Sequence, residues 1–219
     1  MANYYGTPAI VTDGLVFAVD AGNGQSYVSG SSTCNSLVSS VTGSLFNDVS
    51  GSLGSPKAWE FDGVDDYIQF SQNTAGQFTR DVMSFECWIN TDTATNNVLV
   101  MDRSLYNGVD GIEIWVDTNR NICVRGGQQA YICSNSALTL DVWYNVVVTY
   151  NSTTGQIYIN GQLDKSGTIG AVTGNSTYNM YLGRYGDSNL YEWDGKMASI
   201  KIYHKVLSAS ENATKNRFI

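Results

Sequence analysis

The chain has 219 residues, and its 12 Lys+Arg against 20 Asp+Glu give a net charge of -8. An acidic surface with no basic stripe argues against a nucleic-acid partner, and no run approaches the ~18 apolar residues of a membrane span. With 15% charged residues and 2 Pro, neither a disordered chain nor a charged coiled coil fits. The 14 Tyr, 7 Phe and 5 Trp, set among Val, Ile and Thr, suit pleated, half-buried strands. The 22 Gly supply turns. A chain of this length buries roughly 70% of its unfolded surface without disulfides or metal.

Residues 1–14 read as an arm leading into a first strand, Leu15 to Val19. Met1 to Gly6 shows no basic region followed by an apolar stretch, so no signal peptide is expected and folding is expected in a reducing cytosol. From Asp20 to Pro56 the chain is rich in Gly, Ser, Thr and Asn, with apolar islands at Leu37-Val38 and Leu45-Phe46 that suit two short strands. From Trp59 onward strand signals recur about every ten residues, the spacing of an antiparallel sandwich. They cover 59–61, 67–70, 82–89, 97–102, 111–117, 121–125, 130–133, 142–150, 156–159, 178–182 and 196–203. Asn160-Gly161 is the strongest hairpin turn, because both residues accept positive φ. Only the tail reads helical: Ser208 and Glu211 have capping-box spacing ahead of Asn212–Arg217. No linker divides the chain, so one domain over 1–219 is expected.

The four cysteines have no CxxC spacing, and one His cannot complete a usual zinc set. Cys87 sits in the apolar alternation of Phe85, Cys87 and Ile89 and is expected in the core. Cys123 and Cys133 flank a Gly-rich turn; free thiols are the default in a cytosolic protein, with a disulfide across the hairpin as the alternative.

Three groups of residues then resemble a known family. Phe61 to Ile68 with Ser84 to Ile89, Trp143 to Tyr150 with Gly155 to Gly161, and Gly195 to Tyr203 with Leu207 to Glu211 resemble laminin-G-like domains of the concanavalin A-like lectin/glucanase superfamily. The resemblance spans residues ~15–217 and implies an all-β, two-sheet antiparallel jelly-roll sandwich with a short C-terminal helix. Ile10 to Val16, Asp20 to Asn23 and Asn212 to Phe218 resemble stand-alone versions encoded by tailed phages, which implies a virion surface or tail-associated protein. The laminin-G-like resemblance also implies calcium, for which the matching acidic positions are Asp20, Asp62 and Asp65. The chain departs from many relatives at Ala198-Ser199, where they carry acidic residues, and that removes one potential ligand.

Catalysis would need two carboxylates bracketing a sugar. Glu113, Trp115 and Asp117 share one strand face, which sets Glu113 and Asp117 about 13 Å apart at Cα. A retaining pair needs about 5.5 Å between carboxyls and an inverting pair about 6.5–9.5 Å. No enzyme is therefore expected, and Glu113 reads as half of an ion pair. The single histidine, His204, reads as structural. A glycan site needs aromatic faces beside planar polar groups. Tyr106, Trp115, Tyr131, Tyr185, Asp187, Asn189, Tyr191 and Trp193 supply them, with Trp88 and Arg125 as contributors from a sheet face. The leading expectation is a non-catalytic glycan-binding module, its partner a cell-surface glycan or polysaccharide. A purely structural virion decoration or adaptor contacting other virion proteins stands second, and a glycoside hydrolase third.

Overall fold

Alternation decides which residues face inward. In the segment Gly111–Val116, Ile112, Ile114 and Val116 enter the core, while Glu113 and Trp115 point to the other side, as a period of two requires. The computed structural model describes residues 11–52, 54–71, 78, 80–103, 111–127, 130–172, 178–186 and 190–213. In chain order the strands are β1 (Leu15–Asp20), β2 (Thr33–Asn35), β3 (Thr42–Phe46), β4 (Ser50–Gly51), β5 (Trp59–Asp62) and β6 (Tyr67–Phe70). Then come β7 (Val82–Thr91), β8 (Asn97–Arg103), β9 (Gly111–Val116), β10 (Asn121–Gly126) and β11 (Tyr131–Ala137). β12 (Tyr144–Asn151), β13 (Thr154–Ile159), β14 (Gln162–Thr168), β15 (Met180–Leu182), β16 (Asp194–Tyr203) and the helix α1 (Ala209–Ala213) complete the chain.

These strands form two antiparallel eight-stranded sheets, so the expected all-β sandwich is what the chain builds. The first runs β14-β13-β12-β7-β16-β5-β4 with β1 paired to β16; the second runs β11-β10-β9-β8-β15-β6-β3-β2. One apolar cluster lies between them. Phe17 meets the edges of Phe70 and Phe78 at 5.0 and 5.7 Å. Cys87 is fully buried there, as expected, and Cys34 is buried too, its thiol pushed up to about 12 by desolvation.

The outer face of the first sheet is covered by the chain's ends. Val147, Tyr158, Tyr203 and Leu207 cluster there with Val11 and Leu15, and Ser84 Oγ both donates to Lys205 O and accepts from Leu207 N–H. α1 begins with the expected capping box: Ser208 N–H donates to Glu211 Oε2 (2.8 Å) and Glu211 N–H to Ser208 Oγ (3.3 Å). Residues 214–217 of the expected helix lie outside the described residues. His204 extends the β1–β16 pairing through its N–H to Gly14 O, 2.8 Å.

Three expectations change. The Asp20–Pro56 segment holds three short strands rather than two. β14 goes unrecognised in the sequence because Gln162-Leu163-Asp164-Lys165-Ser166-Gly167-Thr168 has almost no strand-forming side chains; it is an edge strand, and pairing with β13 makes it extended. Cys123 and Cys133 are disulfide-bonded rather than free, because β10–β11 pairing sets them directly opposite one another.

Candidate functional site

The outer face of the second sheet presents a patch two residues deep across three strands. Glu113 on β9, Arg125 on β10 and Tyr131 on β11 lie in one cross-strand row. Trp115, Cys123 and Cys133 form the row beside it. Arg125 donates through Nη2 to Glu113 Oε2 at 3.0 Å, and its guanidinium lies 5.3 Å from the centre of the Trp115 ring. Trp115 and Tyr131 meet at 5.5 Å between ring centroids. Tyr131 is 57% exposed and Trp115 half-buried, so the sheet offers ligand-accessible aromatic surface here. The disulfide ties the edge strand β11, which carries Tyr131, to its neighbour β10, which carries Arg125.

Tyr191, in the Tyr185–Trp193 loop, borders this patch on its β8 side. Tyr191 O accepts from Val98 N–H at 2.7 Å, and Val98 on β8 is the cross-strand neighbour of Trp115. Tyr191, 49% exposed and held at φ 58°, meets the half-buried Tyr185 ring edge-on at 5.7 Å. Tyr191 therefore lies one strand from Trp115, while Tyr185, which directly follows Arg184, reaches this side only through its contact with Tyr191. Trp193 does not join them: it is fully buried in the core, so its ring is closed to a ligand. The loop's own pairing causes this, with Trp193 N–H donating to Gly183 O and Gly63 N–H to Trp193 O. Tyr106, Asp187 and Asn189 lie outside the described residues. Trp88 sits on the opposite sheet, buried against Ala58, Ala198 and Trp143, and contributes nothing to this face.

The carboxylates of Glu113 on β9 and Asp117 just after it are committed elsewhere. Glu113 is buried with Arg125, and Asp117 Oδ1 accepts from Asn119 N–H (2.8 Å) and Asn121 N–H (2.9 Å), closing the β9–β10 turn. Asp117 also lies near the Cys123 and Cys133 sulfurs, but a disulfide offers no thiolate to a metal.

Of the three acidic positions matched to calcium, two come together. Asp62 and Asp65 lie with Asp66, all with a carboxylate oxygen within 4.8 Å of the others; Asp66 was missed because it follows Asp65 directly in a turn. Asp20 is not in that group. Its Oδ1 accepts from Gly22 N–H at 2.7 Å and closes its own turn. The donor set suits a hard cation, since every ligand is oxygen. Backbone N–H groups already use much of it: Asp66 accepts from Asp48 and Asp62, and Asp62 from Val64 and Asp65. Burial raises the Asp66 carboxyl, and the charges of Asp62 and Asp65 push it the same way.

A second arginine–aromatic cluster, not anticipated from sequence, occupies the far end of the same sheet. Tyr67 on β6 stacks on Phe46 of β3 at 4.4 Å with 7° between planes. Arg184 lies 3.5 Å from the Tyr67 centroid and 5.3 Å from that of Tyr181. Its Nε donates to Gly186 O at 2.6 Å. Both faces of Tyr67 are thus covered. Alternation with core residues Ile68 and Phe70 marks Tyr67 as outward-facing, but nothing local reveals its partners.

The family model described as the Concanavalin A-like lectin/glucanases superfamily matches residues 62–211. No curated protein sequence matches the chain significantly. Among solved structures, domain 4 of AbnA, a GH43 extracellular arabinanase from Geobacillus stearothermophilus solved with arabinotriose, superposes with a TM-score of 0.72 at 15% identity. That match covers 93% of this chain and 98% of the domain. Trypanosoma rangeli sialidase with the inhibitor DANA gives 0.71 at 17% identity over 94% of this chain, which spans only 33% of the sialidase. The binding domain of Paraclostridial Mosquitocidal Protein 1 gives 0.69 at 16% identity over 91% of this chain and 51% of that one. At these identities the likeness is one of fold.

Proposed function

The chain belongs to the Concanavalin A-like lectin/glucanases superfamily, and we propose that it is a glycan-binding module without catalytic activity. The observation that carries this reading is the exposed Trp115–Tyr131 surface beside the Arg125–Glu113 pair. Aromatic faces take the apolar side of a sugar ring, and planar charged groups take its hydroxyls. The use of two carboxylates supports the non-catalytic reading: Glu113 neutralises an arginine and Asp117 closes a turn. The arabinotriose in the superposing arabinanase domain supports the ligand class.

The resemblance of the chain's ends to phage-encoded domains supports a place on a virion surface, where many copies make weak sites effective. The Cys123–Cys133 disulfide suits an oxidising exterior. Calcium is proposed at Asp62, Asp65 and Asp66, in the turn whose Gly63 N–H donates to Trp193 O, where it would brace that turn rather than take part in chemistry. A glycan array run on multimerised protein, with calcium and again with chelator, tests all of this. Selective binding is expected. A blank array on folded protein would move the assignment to a structural virion component.

A further inference from the structure

The platform's charge limits which glycans it can accept. Arg125 is the cation on the ring surface, and its side chain is 28% exposed. Glu113 lies against it at 3.0 Å with its own side chain 5% exposed. An ion pair held this close presents no net charge to a ligand. The surroundings do not restore a positive field. Asp117 borders the disulfide, and across the β11 edge Asp164 accepts from Ser136 N–H while Lys165 Nζ donates to Asn135 Oδ1. Among the described residues bordering the patch, the carboxylates of Glu113, Asp117 and Asp164 are matched by the cations of Arg125, Lys165 and Arg120, the last in the same turn as Asp117, within a chain of net charge -8.

Resting on the glycan reading above, we infer that this platform selects uncharged glycans and that Glu113, paired with Arg125 beneath the ring surface, is the positioning residue that sets the charge class. Glu113 holds the guanidinium in place as a fixed set of donors for hydroxyls and cancels the charge that would otherwise draw carboxylated or sulfated sugars. Trp115 and Tyr131 supply stacking that does not depend on ligand charge. Binding should therefore respond little to salt, since screening acts on net charges.

Affinity electrophoresis of the whole protein against neutral polysaccharides (arabinan, galactan, mixed-linkage glucan) and acidic ones (polygalacturonate, chondroitin sulfate) tests this. The expected result is retention by a neutral polymer alone, changing less than about twofold between about 20 and 500 mM NaCl. Glu113→Gln should add retention by an acidic polymer that weakens about tenfold over the same salt range. A purely structural Glu113 would not change the ligand's charge class. Retention of the wild type by an acidic polymer, lost in high salt, overturns the inference and leaves the glycan reading standing. No retention by any polymer overturns the glycan reading, and this inference with it. Should the variant fail to fold, the wild-type salt series decides alone.

Discussion

Two arginine–aromatic clusters share one sheet face, and their environments differ. At the β3–β6–β15 end, Arg184 is 8% exposed, and Tyr67 is closed between it and Phe46. At the β9–β11 end, Arg125 is partly exposed and Tyr131 is mostly exposed. The first cluster uses its cation–ring contacts as packing, because neither face of Tyr67 remains available. The second leaves ring surface accessible and ties its edge strand β11 to β10 with a disulfide. The same side-chain chemistry serves stability in one place and recognition in the other, and coverage makes the difference.

The contrast can be broken by mutation. Tyr67→Ala should cost on the order of 3 kcal/mol of folding stability and leave glycan affinity unchanged at temperatures where the variant is folded; urea melts and binding isotherms read the two effects. Reducing the Cys123–Cys133 bridge removes a short loop constraint of about 10 residues from the unfolded chain, and should cost about 3 kcal/mol, read as a drop in melting temperature with reductant. Trp115→Ala should weaken glycan binding by on the order of 2 kcal/mol, about 30-fold, seen by calorimetry; an unchanged affinity would move the site off this face. Tyr131→Ala should change stability by no more than about 0.5 kcal/mol while still weakening binding.

A control far from both clusters is the capping box of α1. Glu211 is held down at about 2, below its ordinary 4.5, first by the Ser208 backbone N–H and then by Lys205. Its contribution, about 1 kcal/mol for a cap of this type, is complete above the ordinary value and is lost as pH falls toward 2. Glu211→Gln should therefore lower stability at pH 7 and flatten that part of the acid limb, read from urea midpoints across pH.

Much of the fold was legible because alternation and turn chemistry are local. The Phe85-Cys87-Ile89 face of β7, the Glu113-Trp115 face of β9 and the capping box at Ser208 follow from spacing alone. The candidate site was legible only in part. Trp115 and Tyr131 could be named as ring-bearing positions, but Trp193, in an equally aromatic loop, became core once its backbone paired with Gly183 and Gly63. Arg184 and Asp66 carried no local signal for what they contact.

The sequence by itself determined the alternation along β9, the four-residue separation of Glu113 and Asp117 and the acidic balance, since each depends on neighbours in the chain. Tertiary structure alone decided which cysteines bond, which arginine is covered, and that Tyr191 comes to lie one strand from Trp115. Those depend on cross-strand register and on which segments cover each face, and they are set by contacts between residues far apart in the chain.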